Sequence, residues 1–316
     1  MKGARNRRWV VAVVVVLVAT LVLGVADASA ATISGTVVCR NGHPVSGVYV
    51  NSSDGGSGFA TWSKRSSSAP WIANYSRNVT VSGTSSIRVD VGCGSGSTSG
   101  SWWSNNRTPS TTVSGSKQLN AICNEASGSA AQRCSWWGQA ALLGMPFTGY
   151  WDKYGYAPPS SHPSDSQDWA TDIYADPGTP VKVYAFAPSS VNLSLTVEYK
   201  GPGCNSSSGT TVNVAIYWNG TKIGRSSFSH LYSVPSGIAT GKTIPNETQL
   251  GVTQQFAKTS CYQVSSSSGV HTHFGAYNVT KQSCYAPLKS KTKYSAARWI
   301  GIVGVNNATH QHQACS

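Results

Sequence analysis

The sequence predicts an all-β protein, with an N-terminal β-sandwich-like module followed by a domain built on a curled antiparallel β-sheet. Three observations predict it. Short runs that alternate β-branched and polar residues recur along the chain between Gly, Pro and Asn breaks, as in ISGTVVC, IRVDVGC, TPVKVYAFA and NLSLTVEY. The run TVNVAIYW at 211–218 is followed by Asn219-Gly220 and then TKIG, the strongest short-range signal for a β-hairpin. No alternation of strand and helix patterns occurs that would build a parallel sheet, and no internal repeat is visible.

Residues 1–30 read as a signal peptide: MKGARNRR is a basic start, WVVAVVVVLVATLVLGV an apolar run, and Ala28-Ser29-Ala30 a small-residue cleavage site. An uncleaved anchor is the alternative, since the apolar run is slightly long, and no later segment is apolar enough to span a bilayer. Cleavage after Ala30 takes 30 of the 316 residues and leaves 286, enough for two modest domains or one large one. The leader also removes Lys2, Arg5, Arg7, Arg8 and Asp27, which takes three from the formal charge of +13 and leaves +10. An exported basic chain rich in Ser, Thr and Gly suits a polyanionic surface such as a bacterial cell wall. Nucleic acid is not the expected partner, because no helix clusters Lys and Arg. After cleavage no stable membrane association is expected.

The segment 31–93 reads as a small β-sandwich module. The text SGTVVCRNGHPVSGVYV at 34–50 resembles the opening hairpin of carboxypeptidase-regulatory-like sandwich modules. All eight cysteines lie beyond the leader, and an even count behind an export signal implies disulfides rather than thiolate metal ligands. No CxxC pair occurs. Order along the chain suggests Cys39 with Cys93, Cys123 with Cys134, Cys204 with Cys261 and Cys284 with Cys315, among 105 possible connectivities.

The segment 94–144 reads as a Ser/Gly-rich linker, from 94 to 118, and then a short helical stretch around 130–143. Trp102 and Trp103 inside the linker could stack on sugar rings or pack on a neighbouring domain. From 145 to 316 strand texture returns, with a C-terminal tail. Trp151, Tyr154 and Tyr156 could line a groove or pack beneath a sheet. His43, His310 and His312 have no partners that the sequence suggests.

The stretch GVHTHFGAY carries the densest chemistry. In a strand, residues two apart share a face, so His271 and His273 stand side by side, about 7 Å apart along the backbone, while Thr272 and Phe274 face the other way. Two solvent-facing strand histidines would show the same pattern. Further upstream, SSHPSDSQDWATDIYADPGTPVKVYA supplies His162 and Asp172, and SSFSHL supplies His230, which could also be a strand-end histidine bonded to backbone. Zinc favours imidazole nitrogen and carboxylate oxygen, and a catalytic zinc site keeps three protein ligands with one open position; His, Asp and His is such a set.

In this order, ATDIYADPGTPVKVYA, SSFSHL, SGIATGKTIPNETQLG and GVHTHFGAY resemble the motifs of the M23 family of zinc peptidoglycan peptidases, the lysostaphin and β-lytic group. The resemblance spans about 146–278. It implies Zn2+ as cofactor, with Asp172 and His273 as ligands. It implies that His271 and His230 flank the water that the metal activates, one taking its proton and both stabilising the tetrahedral oxyanion. Where much of that family has a histidine four residues before the aspartate, this chain has Asp168. His162, ten residues ahead, fits the longer spacing of the β-lytic branch and is the implied first ligand; Asp168, or a site that has lost a ligand, is the alternative.

The expectation is therefore a secreted zinc metalloendopeptidase that hydrolyses peptide bonds of bacterial peptidoglycan through metal-activated water, without a covalent intermediate. The alternatives are a catalytically inactive wall-binding protein with the same fold, and a secreted protease on Gly-rich proteins.

Overall fold

Alternation along β1 (Ala28–Cys39) shows how the first unit forms: Ile33 and Val37 are fully buried, while Thr32 and Ser34 between the apolar positions are partly exposed. The computed structural model describes residues 28–39, 44–66, 69–93, 106–123, 134–138, 140–144, 146–147, 156–157, 170–202, 209–253, 270–278, 284–285 and 299–304. Every regular element among them is a strand, and the architecture is all-β. After β1 come β2 (Val45–Ser52), β3 (Gly58–Phe59), β4 (Thr61–Lys64), β5 (Ile72–Ser82), β6 (Ser85–Cys93), β7 (Thr111–Val113), β8 (Lys117–Gln118), β9 (Ala121–Cys123) and β10 (Cys134–Trp136). They form two sheets, β10-β9-β1-β5-β4 with β8 also on β1, and β3-β2-β6-β7. Val37, Trp71, Val48, Ile87 and Val91 fill the core between them. Burying a side chain of this kind is worth about 1.5–3 kcal/mol.

A disulfide joins Cys39 of β1 to Cys93 of β6 and so ties one sheet to the other across 54 residues of chain. In the chain-entropy view such a loop contributes about 4 kcal/mol. Cys123 is bonded to Cys134, its ladder partner on β10. Both pairings are those suggested by cysteine order; Cys204, Cys261 and Cys315 lie outside the described residues, as do Trp102, Trp103, Trp151, Tyr154 and the histidines 43, 310 and 312.

The segment expected to be linker and short helix behaves differently in its described part. Residues 106–123 add β7 to β6 and lay β8 and β9 parallel to β1, closing the sandwich. Residues 140–143, expected in the short helix, belong instead to a fully buried strand, β11 (Ala140–Gly144). A short apolar run reads equally as a buried strand or a helix segment, and pairing with distant strands decides which.

The second unit comprises β11 with β12 (Tyr156–Ala157), β13 (Ala170–Tyr174), β14 (Pro180–Lys182), β15 (Ala185–Phe186), β16 (Leu193–Pro202), β17 (Thr210–Trp218), β18 (Thr221–Tyr232), β19 (Thr243–Ile244), β20 (Gln249–Thr253), β21 (His271–Asn278), β22 (Cys284–Tyr285) and β23 (Trp299–Gly304). The main sheet runs β12-β13-β21-β18-β17-β16-β19, with β20 joined to β18 and β14 to β20; a smaller one runs β15-β11-β23-β22. All neighbouring strands in the main sheet are antiparallel. Asn219 and Gly220, with φ of 49° and 82°, turn β17 into β18 as the hairpin signal predicts. Trp71 meets Phe186 edge to face at 5.0 Å, and Arg65 donates to the Ala187 carbonyl, so the two units share a packed boundary.

Candidate functional site

Phe228 of β18 and Phe274 of β21 are ladder partners, buried in the second core with their rings 5.3 Å apart. Each ring fixes which face of its strand looks inward. On β21 the alternation then turns His271 and His273 to the opposite face from Thr272 and Phe274, as the spacing predicts. Thr272 and Phe274 are fully buried, His271 is buried with 7% exposure, and His273 is partly exposed.

His230 reaches the same face by a different route. Two residues after Phe228, simple alternation would send it into the core. Between the pairs Val212↔Phe228 and Thr210↔Leu231 the register shifts, because three steps on β18 oppose two on β17. This β-bulge inserts one residue and reverses the phase of the strand, so Leu231 returns to the core and His230 does not. His230 has φ of 64°, the left-handed region that suits few side chains other than Gly, Asn, Asp and His. At the same point β18 leaves β21, its last pair there being Ser229↔His273, and takes up β20 at Leu231↔Thr253. The result places the His230 ring 4.9 Å from His271 and 6.2 Å from His273, roughly perpendicular to both.

Gly209 closes the back of the bulge. A Cβ there would stand 2.9 Å from the Leu231 carbonyl oxygen and 3.2 Å from the His230 carbonyl carbon, and its φ is 81°. Only glycine allows both the turn and the approach.

Asp172 of β13 stands directly across the ladder from His273, and Tyr174 across from His271. Directly opposed residues of an antiparallel pair lie on one face of the sheet, which assigns the Asp172 position to the histidine face. Its side chain is outside what the structure describes, and His162 and Asp168 lie outside the described residues. Downstream of β13, Asp176-Pro177-Gly178-Thr179 forms a tight turn with Gly178 at φ 77°. The Asp176 carbonyl accepts from the Thr179 and Thr253 hydroxyls at 2.7 and 2.6 Å, which pins the end of β13 to β20.

Among the described residues no group of three or more His, Cys, Asp or Glu side chains is arranged to hold a metal ion. The donor types at the positions that converge here, imidazole and carboxylate, are those that zinc prefers, and they fit the ion in kind.

The histidine face continues across the sheet as a polar floor that the sequence reading did not single out. Ser229, opposite His273, accepts from the Thr211 hydroxyl at 2.9 Å, and the Ser227 hydroxyl donates to Asn213 at 2.7 Å. Further along, Tyr277 folds back over Gly275, where a Cβ would meet the Tyr277 ring at 2.6 Å, and the Arg225 guanidinium sits over that ring at 5.1 Å. The signal for these residues was the polar phase of each strand: Thr211 and Asn213 on β17, then Arg225, Ser227 and Ser229 on β18. No family model, curated protein or solved structure matches this chain.

Proposed function

We propose that this chain is a secreted zinc endopeptidase that hydrolyses peptide bonds of bacterial peptidoglycan. The observation that carries the reading is the meeting of His230, His271 and His273 on one sheet face, with Asp172 across the ladder from His273. In this reading His162, Asp172 and His273 hold the metal. When bound, zinc supplies a water acidic enough to ionise near neutral pH and a means of polarising a carbonyl.

His271 and His230 are both buried, and their rings touch. A neutral imidazole at either position takes the proton of the attacking water on a ring nitrogen and returns it to the departing amine nitrogen as the C–N bond breaks. The other faces the carbonyl oxygen as negative charge develops there. Burial keeps bulk water from competing for those contacts. The left-handed backbone at His230 supports the assignment, since strained residues cluster where geometry serves chemistry. The formal charge of +10 left after the leader is removed, three less than the +13 of the full sequence, supports a wall rich in phosphate and carboxylate groups as the target.

The test is release of soluble peptide from purified sacculi by the mature chain with zinc supplied, beside His273→Ala, His162→Ala and a chelator-treated sample. Release by the wild type that all three controls abolish is expected. A wild type that releases nothing but sediments with sacculi would replace this reading with that of a wall-binding protein.

A further inference from the structure

Two basic side chains rise from β18 on the face that carries the histidines or next to it, and the structure treats them differently. Lys222 is paired with the Glu198 carboxylate of β16. Arg225 is not: among the described residues no carboxylate lies within ion-pair distance of it, and its guanidinium is held instead over the Tyr277 ring at 5.1 Å. Arg225 is only partly exposed, so its charge is kept near the sheet rather than trailing in solvent. Stacking of this kind orients the planar fork while leaving its N–H groups for a partner.

Its position relates it to the site. Arg225 pairs with Tyr277, Ser227 with Gly275 and Ser229 with His273, so the three pairs form a continuous track along β18 and β21. Side chains on one strand face recur every second residue, which puts Arg225 four residues, or about 14 Å of backbone, from the level of His273. An extended peptide lying along the track advances at the same rate. Gly275 leaves the middle of the track without a side chain, and Tyr277 folds into that space, bringing the platform beneath Arg225 closer to the histidines. Ser227 and Asn213, bonded to each other at 2.7 Å, line the floor beside it.

We propose that Arg225, stacked on Tyr277, anchors a carboxylate of the substrate, so that the site takes acidic peptides whose free carboxylate lies about three to four residues from the bond to be cut. This rests on the endopeptidase reading and narrows it: wall stem peptides, which carry free carboxylates, are preferred over uncharged glycine bridges. A guanidinium offers a carboxylate two parallel N–H donors, a geometry that lysine lacks.

The experiment uses the full mature chain with zinc and two synthetic peptides of one sequence, ending in a free carboxylate or in an amide three to four residues from the cleaved bond. The wild type is expected to favour the carboxylate form by about ten- to a hundredfold in kcat/KM, the range for a charge-assisted contact. In Arg225→Gln that ratio falls to near one, and Arg225→Lys recovers part of it. Equal cleavage of both peptides by the wild type, or a preference that persists in Arg225→Gln, overturns the proposal. If the wild type cleaves neither peptide, the endopeptidase reading fails by itself, and equilibrium binding of the same pair, followed by intrinsic fluorescence, decides the anchor. Tighter binding of the carboxylate form that Arg225→Gln abolishes then supports the anchor, and equal binding overturns it.

Discussion

The ring of His230 lies 4.9 Å from that of His271, although Phe228, only two residues earlier on the same strand, is buried in the opposite face of the sheet. One inserted residue makes the difference. The bulge at Ser229 and His230 reverses the phase of β18, and the left-handed backbone at His230 is what the reversal costs locally.

The first prediction separates strain from chemistry at that residue. His230→Gly should unfold at higher denaturant than His230→Ala, by about 1 kcal/mol, because glycine adopts a φ of 64° without a Cβ clash. Both variants should lose about a hundredfold or more in peptide release, since the imidazole is gone from each. Urea unfolding and sacculus digestion, run on the pair, measure the two effects. A His230→Ala protein as stable as His230→Gly would show that the backbone there carries no strain.

Gly209 supplies the second. Gly209→Ala places a methyl group against the backbone of His230 and Leu231 in a conformation that L-residues rarely adopt, and should cost about 1–3 kcal/mol. Because the clash falls on the bulge itself, activity should fall in the fraction that remains folded, mainly through kcat. A variant with full kcat would show that the bulge holds its shape without this contact.

The third concerns pH and the N-terminal sandwich. Burial pushes the Tyr75 hydroxyl pKa well above its ordinary value, and that hydroxyl donates to the Leu119 carbonyl at 2.7 Å. A raised folded-state pKa means stability that is complete below the unfolded value of about 10 and is lost as pH rises beyond it, because the unfolded chain releases the proton first. Tyr75→Phe should be less stable than wild type at pH 7, by about 1 kcal/mol for the lost hydrogen bond, and should show a shallower decline between about pH 10 and 11.5. Unfolding free energies of the two proteins across that range give the answer directly; parallel curves would rule out Tyr75 as the alkaline-sensitive group.

Much of the fold could be read in advance, and the reasons differ by element. The β17–β18 hairpin was legible because Asn219-Gly220 specifies its turn from the two residues themselves. The shared face of His271 and His273 was legible because strand period is two and Phe274 marks the inward side. Cysteine order suggested the pairs Cys39–Cys93, which ties one sheet to the other, and Cys123–Cys134, which joins neighbouring strands. By contrast, β8 and β9 could not be read from the short text of 117–123, since their pairing with β1 is parallel and joins residues some 84 positions apart. The run Ala140–Gly144 is short and apolar, and only its ladder with β15 and β23 makes it a strand.

By itself, then, the sequence determined the all-β class, the β17–β18 hairpin and the shared face of His271 and His273, because each is set by local strand period and turn residues. Tertiary structure alone decided that Asp172 stands opposite His273, that His230 turns out of the core to meet His271, and that Arg225 rests on Tyr277 without a carboxylate among the described residues. Those relationships depend on register and on a bulge, and a shift of one residue in either moves every side chain to the other face.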